Sequence, residues 1–347
     1  MPSALAAIDA DGHILERQSD IRRYLDAPWR DRRTDLWPGD QPWDSSLSDK
    51  LGHPYDYVSG LTPQQQVDLW HRAMDEHEIE MAVLFPTGSG SVTKLQERDF
   101  AIAVARACNS HFAADYVRTR LFPVGVLPMR DPQAAARELE RASRELGLKG
   151  FEILTSGLHT ALGDPFYDPI YEAACRNDVA LCIHGTRSWG HEVGGATLRT
   201  FGEMHCYAFT AGMLLQFTSI MLNGLTKRHP GLKLAFLEIG ATWLPYYLDR
   251  LDEHWIKRGA VDSPMLDEKP SDLFRRSNIV VSLEADESLI AETIDFAGAE
   301  HIVFASDIPH WDCEFPDNLR ELRANNAIPE AAKQKILRDN AKAFFAI

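Results

Sequence analysis

Short β-branched runs alternate along this chain with longer segments of helical period, and this alternation constrains the fold more than any other feature. Such alternation builds parallel sheets, because each helix carries the chain back to the start of the next strand. Eight runs occur, and a candidate helix follows each one. The runs are ALAAIDA, IEMAVLFP, RLFPVGVLP, LKGFEIL, VALCIHG, LKLAFLE, NIVVSLE and HIVFASD.

Eight β-then-α units predict a (β/α)8 TIM barrel, a fold that typically needs about 250 residues. The chain has 347 residues, so we expect a single domain over 1–347 with two insertions, at 17–61 and 185–206. These insertions follow the first and fifth strands, at the rim where barrel enzymes carry their active-site loops. A doubly wound open sheet, or two smaller α/β domains, ranks second because no Pro/Gly/Ser-rich linker divides the chain.

Charge and cysteine content exclude several classes of protein. A formal net charge of −15 without any basic run argues against nucleic-acid binding. The five cysteines are scattered and form no CxxC pair, which argues against a disulfide framework and fits a reducing cytoplasm. The N-terminal residues show no secretion signal, and polar residues interrupt the most apolar stretch, AGMLLQFTSIMLNGL. We therefore expect a cytoplasmic globular protein with no membrane segment.

Ionisable residues end five of the predicted strands, and a barrel would gather them at one rim. Because strand side chains alternate with period two, Asp11 and His13 point the same way and can bind one ion. His184 and Asp307 can complete the set from across the barrel. Each residue alone could be a helix cap or a buried core side chain, but their shared position favours metal binding. The full set of strand-end groups is Asp9, Asp11, His13, His184, Glu238, Glu284 and Asp307.

Four segments of the chain resemble a known family. They are IDADGH on the first strand, IHG after the fifth, HPGLKLAFLEIGATWLPYYLDRLDEHW around the sixth and FASDIPHWD at the eighth. Together they are similar to the amidohydrolase-related group that includes aminocarboxymuconate-semialdehyde decarboxylase and γ-resorcylate decarboxylase. The resemblance spans nearly the whole chain and implies a metal-dependent (β/α)8 barrel. The ligand pattern of that group falls here on Asp11, His13, His184 and Asp307.

The chain departs from that family pattern at two positions. Asp11 stands where the family has His or Glu, which gives a site of two imidazoles and two carboxylates. Imidazole suits Zn²⁺ while carboxylate shifts preference towards Mn²⁺, so both metals stay open. Glu238 stands where well-studied decarboxylases of the group carry a catalytic histidine. The decarboxylase mechanism therefore does not transfer directly.

A divalent metal can lower the pKa of bound water and polarise a carbonyl oxygen, which favours hydrolysis of a small cyclic or aromatic amide- or ester-like substrate. In that scheme Asp307 is both ligand and proton acceptor, and Glu238 protonates the leaving group. The alternative is non-oxidative decarboxylation of a small ring-derived carboxylate, with Asp307 or Glu238 protonating the ring carbon. A third possibility is an inactive barrel that serves as a binding or scaffold protein.

Further candidates surround this set. His310 follows Asp307 and is expected to hydrogen-bond substrate or ligands, and Arg187 could bind a substrate carboxylate. Trp189 and His191 lie in the second insertion, where they could line an apolar pocket. His205 is expected to be an exposed loop residue.

Three expectations lie outside the catalytic set. Asp9 is expected to be a deeper hydrogen-bond acceptor, and Glu16 a loop residue. The segment YAFTAGMLLQFTSIMLNGL predicts a long helix that is apolar on most sides, which is compatible with burial in a homodimer contact.

Overall fold

The computed structural model describes residues 5–37, 60–185, 193–195, 197–310 and 312–347. Within these ranges the strands are parallel and fall into two hydrogen-bonded sets, β1 to β3 and β4 to β9. Their bounds are β1 Ala7–Ile14, β2 Ile79–Pro86, β3 Leu121–Pro123, β4 Gly125–Val126, β5 Gly150–Leu154, β6 Ala180–His184, β7 Lys233–Leu237, β8 Asn278–Leu283 and β9 Ile302–Phe304.

Backbone hydrogen bonds join the two sets into one closed barrel. At the first junction Val124 separates β3 from β4, and its N–H donates to Leu84 O of β2 at 2.8 Å, so β3 and β4 are two halves of the third barrel strand. At the second junction Asp307 N donates to Asp11 O at 2.9 Å and His13 N donates to Ile308 O at 2.6 Å. The predicted (β/α)8 barrel is confirmed.

Most helices lie where the sequence predicts them, between successive strands. Asp131 caps α4 by accepting the N–H of Ala134 at 3.0 Å, behind Pro132 at the first helical position. The bounds are α1 Gln18–Ile21, α2 Pro63–His77, α3 Arg98–Tyr116, α4 Pro132–Leu146, α5 Asp168–Asn177, α6 Phe201–Leu222, α7 Leu225–Arg228, α8 Trp243–Asp262, α9 Pro270–Arg276, α10 Ile290–Ala297, α11 Asp317–Ala324, α12 Glu330–Gln334 and α13 Asn340–Phe345, with a π-helical turn at Lys335–Asp339 between the last two.

The second predicted insertion is shorter than expected, because α6 begins at Phe201. Thr200 and Glu203 form a capping box there: each side chain accepts the backbone N–H of the other residue, at 2.9 and 3.2 Å. Residues 201–206 are therefore helix. Of the first insertion, residues 17–37 and 60–61 are described, and 38–59 lie outside the described residues. No helix of the described chain is long and apolar enough to cross a membrane.

A register shift in β1 directs its side chains to two places. Ile8 and Ala10 pack inside the barrel with residues such as Cys182 of β6. Between Asp9 and Gly12 the pairing with β2 shifts by one residue, as in a β-bulge. The shift reverses the alternation of side chains along β1, so that Asp11 and His13 face His184.

Gly12 faces the opposite side of β1 from its two neighbours, where α2 packs closely. A Cβ atom at Gly12 would lie 2.2 Å from the Trp70 ring, so no larger residue fits. The Trp70 indole N–H also donates to His13 O at 3.1 Å. This tight contact fixes the backbone between Asp11 and His13.

Asp9 is fully buried at the seam between β1 and the end of β9, and it is an acceptor as expected. Its carboxylate accepts the N–H of Ser306 at 3.1 Å, the Ser306 hydroxyl, and the N–H of Asp11 at 3.2 Å. Burial raises the pKa of Asp9 to about 7, although these hydrogen bonds oppose the shift. The seam is thus closed by side-chain as well as backbone hydrogen bonds.

Ser306→Ala is expected to destabilise the barrel. The variant leaves the buried Asp9 carboxylate with one donor fewer, and loss of such a partner costs about 1–3 kcal/mol. Urea denaturation would give the change in the free energy of unfolding. Ser19→Ala, at an exposed position of α1, is the matched control. Equal, small effects in both variants would contradict the role given to the seam.

Candidate metal centre

The four residues predicted as metal ligands lie together at the C-terminal mouth of the barrel. Asp11 and His13 come from β1, His184 ends β6, and Asp307 follows β9. The Oδ1 atom of Asp11 lies 3.4 Å from His184 Nε2 and 3.6 Å from His13 Nε2. His13 Nε2 in turn lies 3.2 Å from Asp307 Oδ1. Asp11, His13 and His184 are each at most 3% exposed.

The polar atoms of this cluster fit a single divalent ion. Two groups have donor atoms within 4.8 Å of one another, Asp11 with His13 and His184, and His13 with Glu238, Asp307 and His310. His13 belongs to both, so the groups outline one cavity. Within the described chain, His13 Nε2, Glu238 Oε2 and Asp307 Oδ1 are buried without a hydrogen bond. Buried polar atoms are rarely left so, and an ion among them would satisfy them together.

Glu238 and Asp307 share an unusual backbone conformation. Their φ angles are 74° and 58°, in the left-handed region that non-glycine residues rarely adopt. Such conformations cost on the order of 1–3 kcal/mol and are concentrated at functional sites. Glu238 directly follows β7 and Asp307 lies three residues beyond the end of β9, and the left-handed conformation brings both carboxylates to His13. The strain supports a functional role for this pair.

Glu238 does not cap α8, although helix capping was the alternative to metal binding for this residue. That place is taken by Glu287, whose carboxylate accepts the N–H groups of Ala241 and Thr242 at 2.9 and 2.8 Å. Glu238 instead places Oε2 3.2 Å from His184 Nδ1 and Oε1 3.8 Å from His310 Nδ1. The carboxylate of Glu238, which follows β7, therefore belongs to the candidate metal centre.

The two acids of the centre have opposite pKa shifts. Burial raises the pKa of Glu238 well above its usual range; His184 opposes this rise and the negative charge of Asp307 adds to it. Burial acts in the same direction on Asp307, but His310 and His13 outweigh it and hold its pKa well below the usual range. Burial thus favours the neutral form of Glu238, whereas the two histidines favour the carboxylate form of Asp307.

The two predicted histidine ligands also differ. Burial lowers the pKa of His13 to about 4, which leaves a neutral imidazole able to bind a metal. Burial acts in the same direction on His184, but the negative charges of Glu238 and Asp11 outweigh it and raise its pKa. Both groups face the carboxylates that a bound cation would share, so a cation would compete with the proton on His184.

The structure places His310 at the candidate metal centre, whereas His205 lies on α6. The His310 ring stacks on His13 with centroids 3.9 Å apart, and its Nδ1 lies 2.8 Å from Asp307 Oδ1. It therefore touches the ligand set, as expected. The expectation of an exposed loop position for His205 is wrong: it lies on α6 between the rings of Phe201 and Phe209, 25% exposed. Arg187, Trp189 and His191 lie outside the described residues.

Sequence reasoning missed Glu152, a buried acid beside the centre. It lies in β5, 1% exposed, with Oε1 3.8 Å from His184 Nδ1. Burial raises its pKa to about 8. The available signal was a charged residue within the apolar run LKGFEIL, where an unpaired acid is costly to bury.

Comparisons with known proteins agree with this arrangement. The family model described as Amidohydrolase matches residues 8–347. A γ-resorcylate decarboxylase from Polaromonas is 28% identical, over 80% of this chain and 86% of its own length. A 2-amino-3-carboxymuconate-6-semialdehyde decarboxylase from Dictyostelium discoideum is 25% identical, over 79% of this chain and 74% of its own length.

A solved structure shares the fold over nearly its full length. The crystal structure of a dihydroxybenzoic acid decarboxylase from Polaromonas, with bound manganese and the inhibitor 2-nitroresorcinol, superposes with a TM-score of 0.72. The two sequences are 23% identical, and the alignment covers 98% of this chain and 97% of that one. The family model spans every strand that contributes to the centre. The chain therefore belongs to the amidohydrolase family of metal-dependent barrel enzymes.

Proposed function

We propose that this protein is a metal-dependent, non-oxidative decarboxylase of a small aromatic or ring-derived carboxylate. The observation that carries the proposal is the buried set of two imidazoles and two carboxylates, with the acid Glu238 beside it. The donor set alone favoured hydrolysis. The relatives named as decarboxylases, which align with about four fifths of the chain, favour decarboxylation instead.

The proposed metal is one divalent ion, Zn²⁺ or Mn²⁺, held by Asp11, His13, His184 and Asp307. Equal numbers of imidazole and carboxylate donors suit both ions, and the manganese in the related Polaromonas structure supports Mn²⁺. When bound, the ion would draw electron density from a substrate carboxylate and a neighbouring oxygen. Asp11 and Asp307, as carboxylates on either side of His13, supply the negative charge that retains it.

Glu238 is the proposed proton donor to the ring carbon. Burial raises its pKa and so favours the protonated form, whereas His310 and His13 hold the pKa of Asp307 low. Once the proton is on the ring carbon, the bond to the carboxylate breaks, its electron pair stays in the ring, and CO₂ leaves. The Glu238 carboxylate that remains faces His184 Nδ1 at 3.2 Å, which stabilises its negative charge.

Substrate recognition is assigned to the two insertions, 17–61 and 185–206, of a single domain. Arg187 is the proposed partner of the substrate carboxylate because it follows the ligand His184 by three residues. Trp189 and His191 are the proposed walls of the pocket, and His310 the proposed contact at its mouth. All lie in or next to segments that follow ligand-bearing strands.

Hydrolysis remains the second candidate function. The observation that favours it is the same buried Glu238, whose pKa burial raises, since leaving-group protonation requires an acid beside the nucleophile. The substrate would be a small cyclic or aromatic amide or ester. Product analysis separates the two reactions, because only decarboxylation releases CO₂.

The protein is further proposed to be cytoplasmic and to form a homodimer or a higher homo-oligomer. The five cysteines are scattered along the sequence and form no CxxC pair, which fits a reducing compartment. Tyr207 and Leu215 of α6 and Tyr246 of α8 are large apolar side chains that are between 42% and 70% exposed. Exposed apolar side chains on two neighbouring helices are typical of subunit contacts.

His184→Ala is expected to lose the metal. Removing one of four ligands should weaken binding by more than the roughly 10–100-fold that loss of an outer partner costs. Elemental analysis of purified protein should find about one ion per chain in the wild type and little in the variant. His254→Ala, on the exposed face of α8, is the control. Equal metal in wild type and His184→Ala would reject the proposed site.

Glu238→Gln is expected to keep its metal and lose turnover by about 10²–10⁴-fold, because the amide cannot donate the proton. CO₂ release from ¹³C-carboxylated hydroxybenzoates would be measured beside metal content. Glu253→Gln, exposed on α8, is the control. Near-normal turnover in Glu238→Gln would exclude an essential acid at this position. Turnover of amides or esters without CO₂ release would overturn decarboxylation in favour of hydrolysis.

A further inference from the structure

The hydroxyl group of Thr87 lies between two histidine rings of the metal centre. Thr87 directly follows β2, and its Oγ1 is 3.2 Å from His310 Nε2 and 3.5 Å from His13 Nδ1. The two rings stack with centroids 3.9 Å apart, and their other nitrogens lie 2.8 and 3.2 Å from Asp307 Oδ1. Each ring is thus contacted by Thr87 at one nitrogen and by Asp307 at the other.

Glu16 fixes the backbone that carries this hydroxyl. Its carboxylate accepts the N–H of Thr87 at 3.1 Å, the N–H of Gly88 at 3.0 Å, and the N–H of Ser89. Hydrogen bonds to an ionised acceptor are stronger than neutral ones, and three converge on one side chain. On the other side the Trp37 ring lies so close that a Cβ at Gly88 would be 3.1 Å from its Nε1. The turn after β2 is therefore held from two directions.

The chemistry of the donors sets the direction of each hydrogen bond. A neutral imidazole has one N–H and one acceptor nitrogen, and a hydroxyl can donate one hydrogen bond and accept others. If His13 binds the metal through Nε2, its proton is on Nδ1 and is donated to Thr87 Oγ1. The Thr87 hydroxyl then donates to His310 Nε2, which leaves the His310 proton on Nδ1, the nitrogen that lies 2.8 Å from Asp307 Oδ1. The donor and acceptor of each hydrogen bond in this series are therefore set by which nitrogen of His13 binds the metal.

We propose that Thr87 is a positioning residue whose hydroxyl sets the tautomer and orientation of both His13 and His310, and that Glu16 holds it in place. This proposal rests on the proposed metal-dependent function. It assigns Glu16 a role at the centre rather than that of a loop residue. It also explains why the sequence DADGHILE carries an acid three residues beyond the ligand His13.

The test uses the zinc-loaded protein, since Zn²⁺ is diamagnetic, with ¹⁵N-labelled histidine. NMR of the ring nitrogens should show the proton of His310 on Nδ1, assigned by its loss in His310→Asn. In Thr87→Val, His310 Nε2 loses its donor and a mixture of tautomers is expected, with Zn²⁺ affinity lowered about 10-fold. Thr87→Ser keeps the hydroxyl and should restore both properties. Thr119→Val, at an exposed threonine before β3 and outside both insertions, is the matched control.

Glu16→Gln provides a second, independent variant. It should cause the same change in the His310 resonances, and its effect on Zn²⁺ affinity should not add to that of Thr87→Val, because both act through one hydroxyl. If the wild type binds Zn²⁺ but Thr87→Val keeps its tautomers and affinity, the positioning role is overturned and the metal centre stands. The role is equally overturned if Thr87→Ser behaves like Thr87→Val. A wild type that binds no Zn²⁺ would overturn the proposed function and this role together.

Discussion

Closure of the barrel between β1 and the end of β9 is the interaction on which the rest of the site depends. The backbone bond from Asp307 N to Asp11 O joins two predicted ligands directly, and the neighbouring bond from His13 N to Ile308 O joins a third to the same seam. Asp9 reinforces the seam with hydrogen bonds from Ser306. The residues that close the fold are therefore adjacent to those that would bind the metal, and stability and function are coupled at this position.

Residues 9–16, in β1 and just beyond it, include four ionisable side chains, and the backbone geometry directs them to different partners. Asp9 faces the seam, and the register shift after it turns Asp11 and His13 towards His184. Glu16 lies beyond the strand and accepts the N–H groups of the turn after β2. Strict alternation with period two would have placed Asp9 on the same side as Asp11. Because of the bulge, Asp9 and Asp11 face different partners although they are two residues apart.

The fold and the gathering of the strand-end groups at one mouth of the barrel were predictable because both depend on periodic features. Strand-end groups are fixed by where an apolar run stops, and eight runs fix the barrel. Contacts between distant segments were not predictable: Glu287, rather than Glu238, caps α8 from a different loop, and Thr87 reaches His310 across the mouth. The start of α6 was missed because the Thr200–Glu203 capping box lies within a segment read as loop. Such pairings depend on tertiary geometry, which one sequence does not encode locally.

The pKa values of the two acids in this cavity shift in opposite directions, and the cause is their different neighbours. Glu238 is desolvated with one histidine nitrogen at 3.2 Å, whereas Asp307 receives two histidine rings, from His13 and His310. Environments that push two pKa values apart are how enzymes assign an acid and a base from identical groups. Glu238 stands where the sequence resemblance places the catalytic histidine of well-studied decarboxylases. This replacement therefore need not abolish proton transfer. In the proposed mechanism the proton comes from a carboxylic acid whose neutral form burial favours.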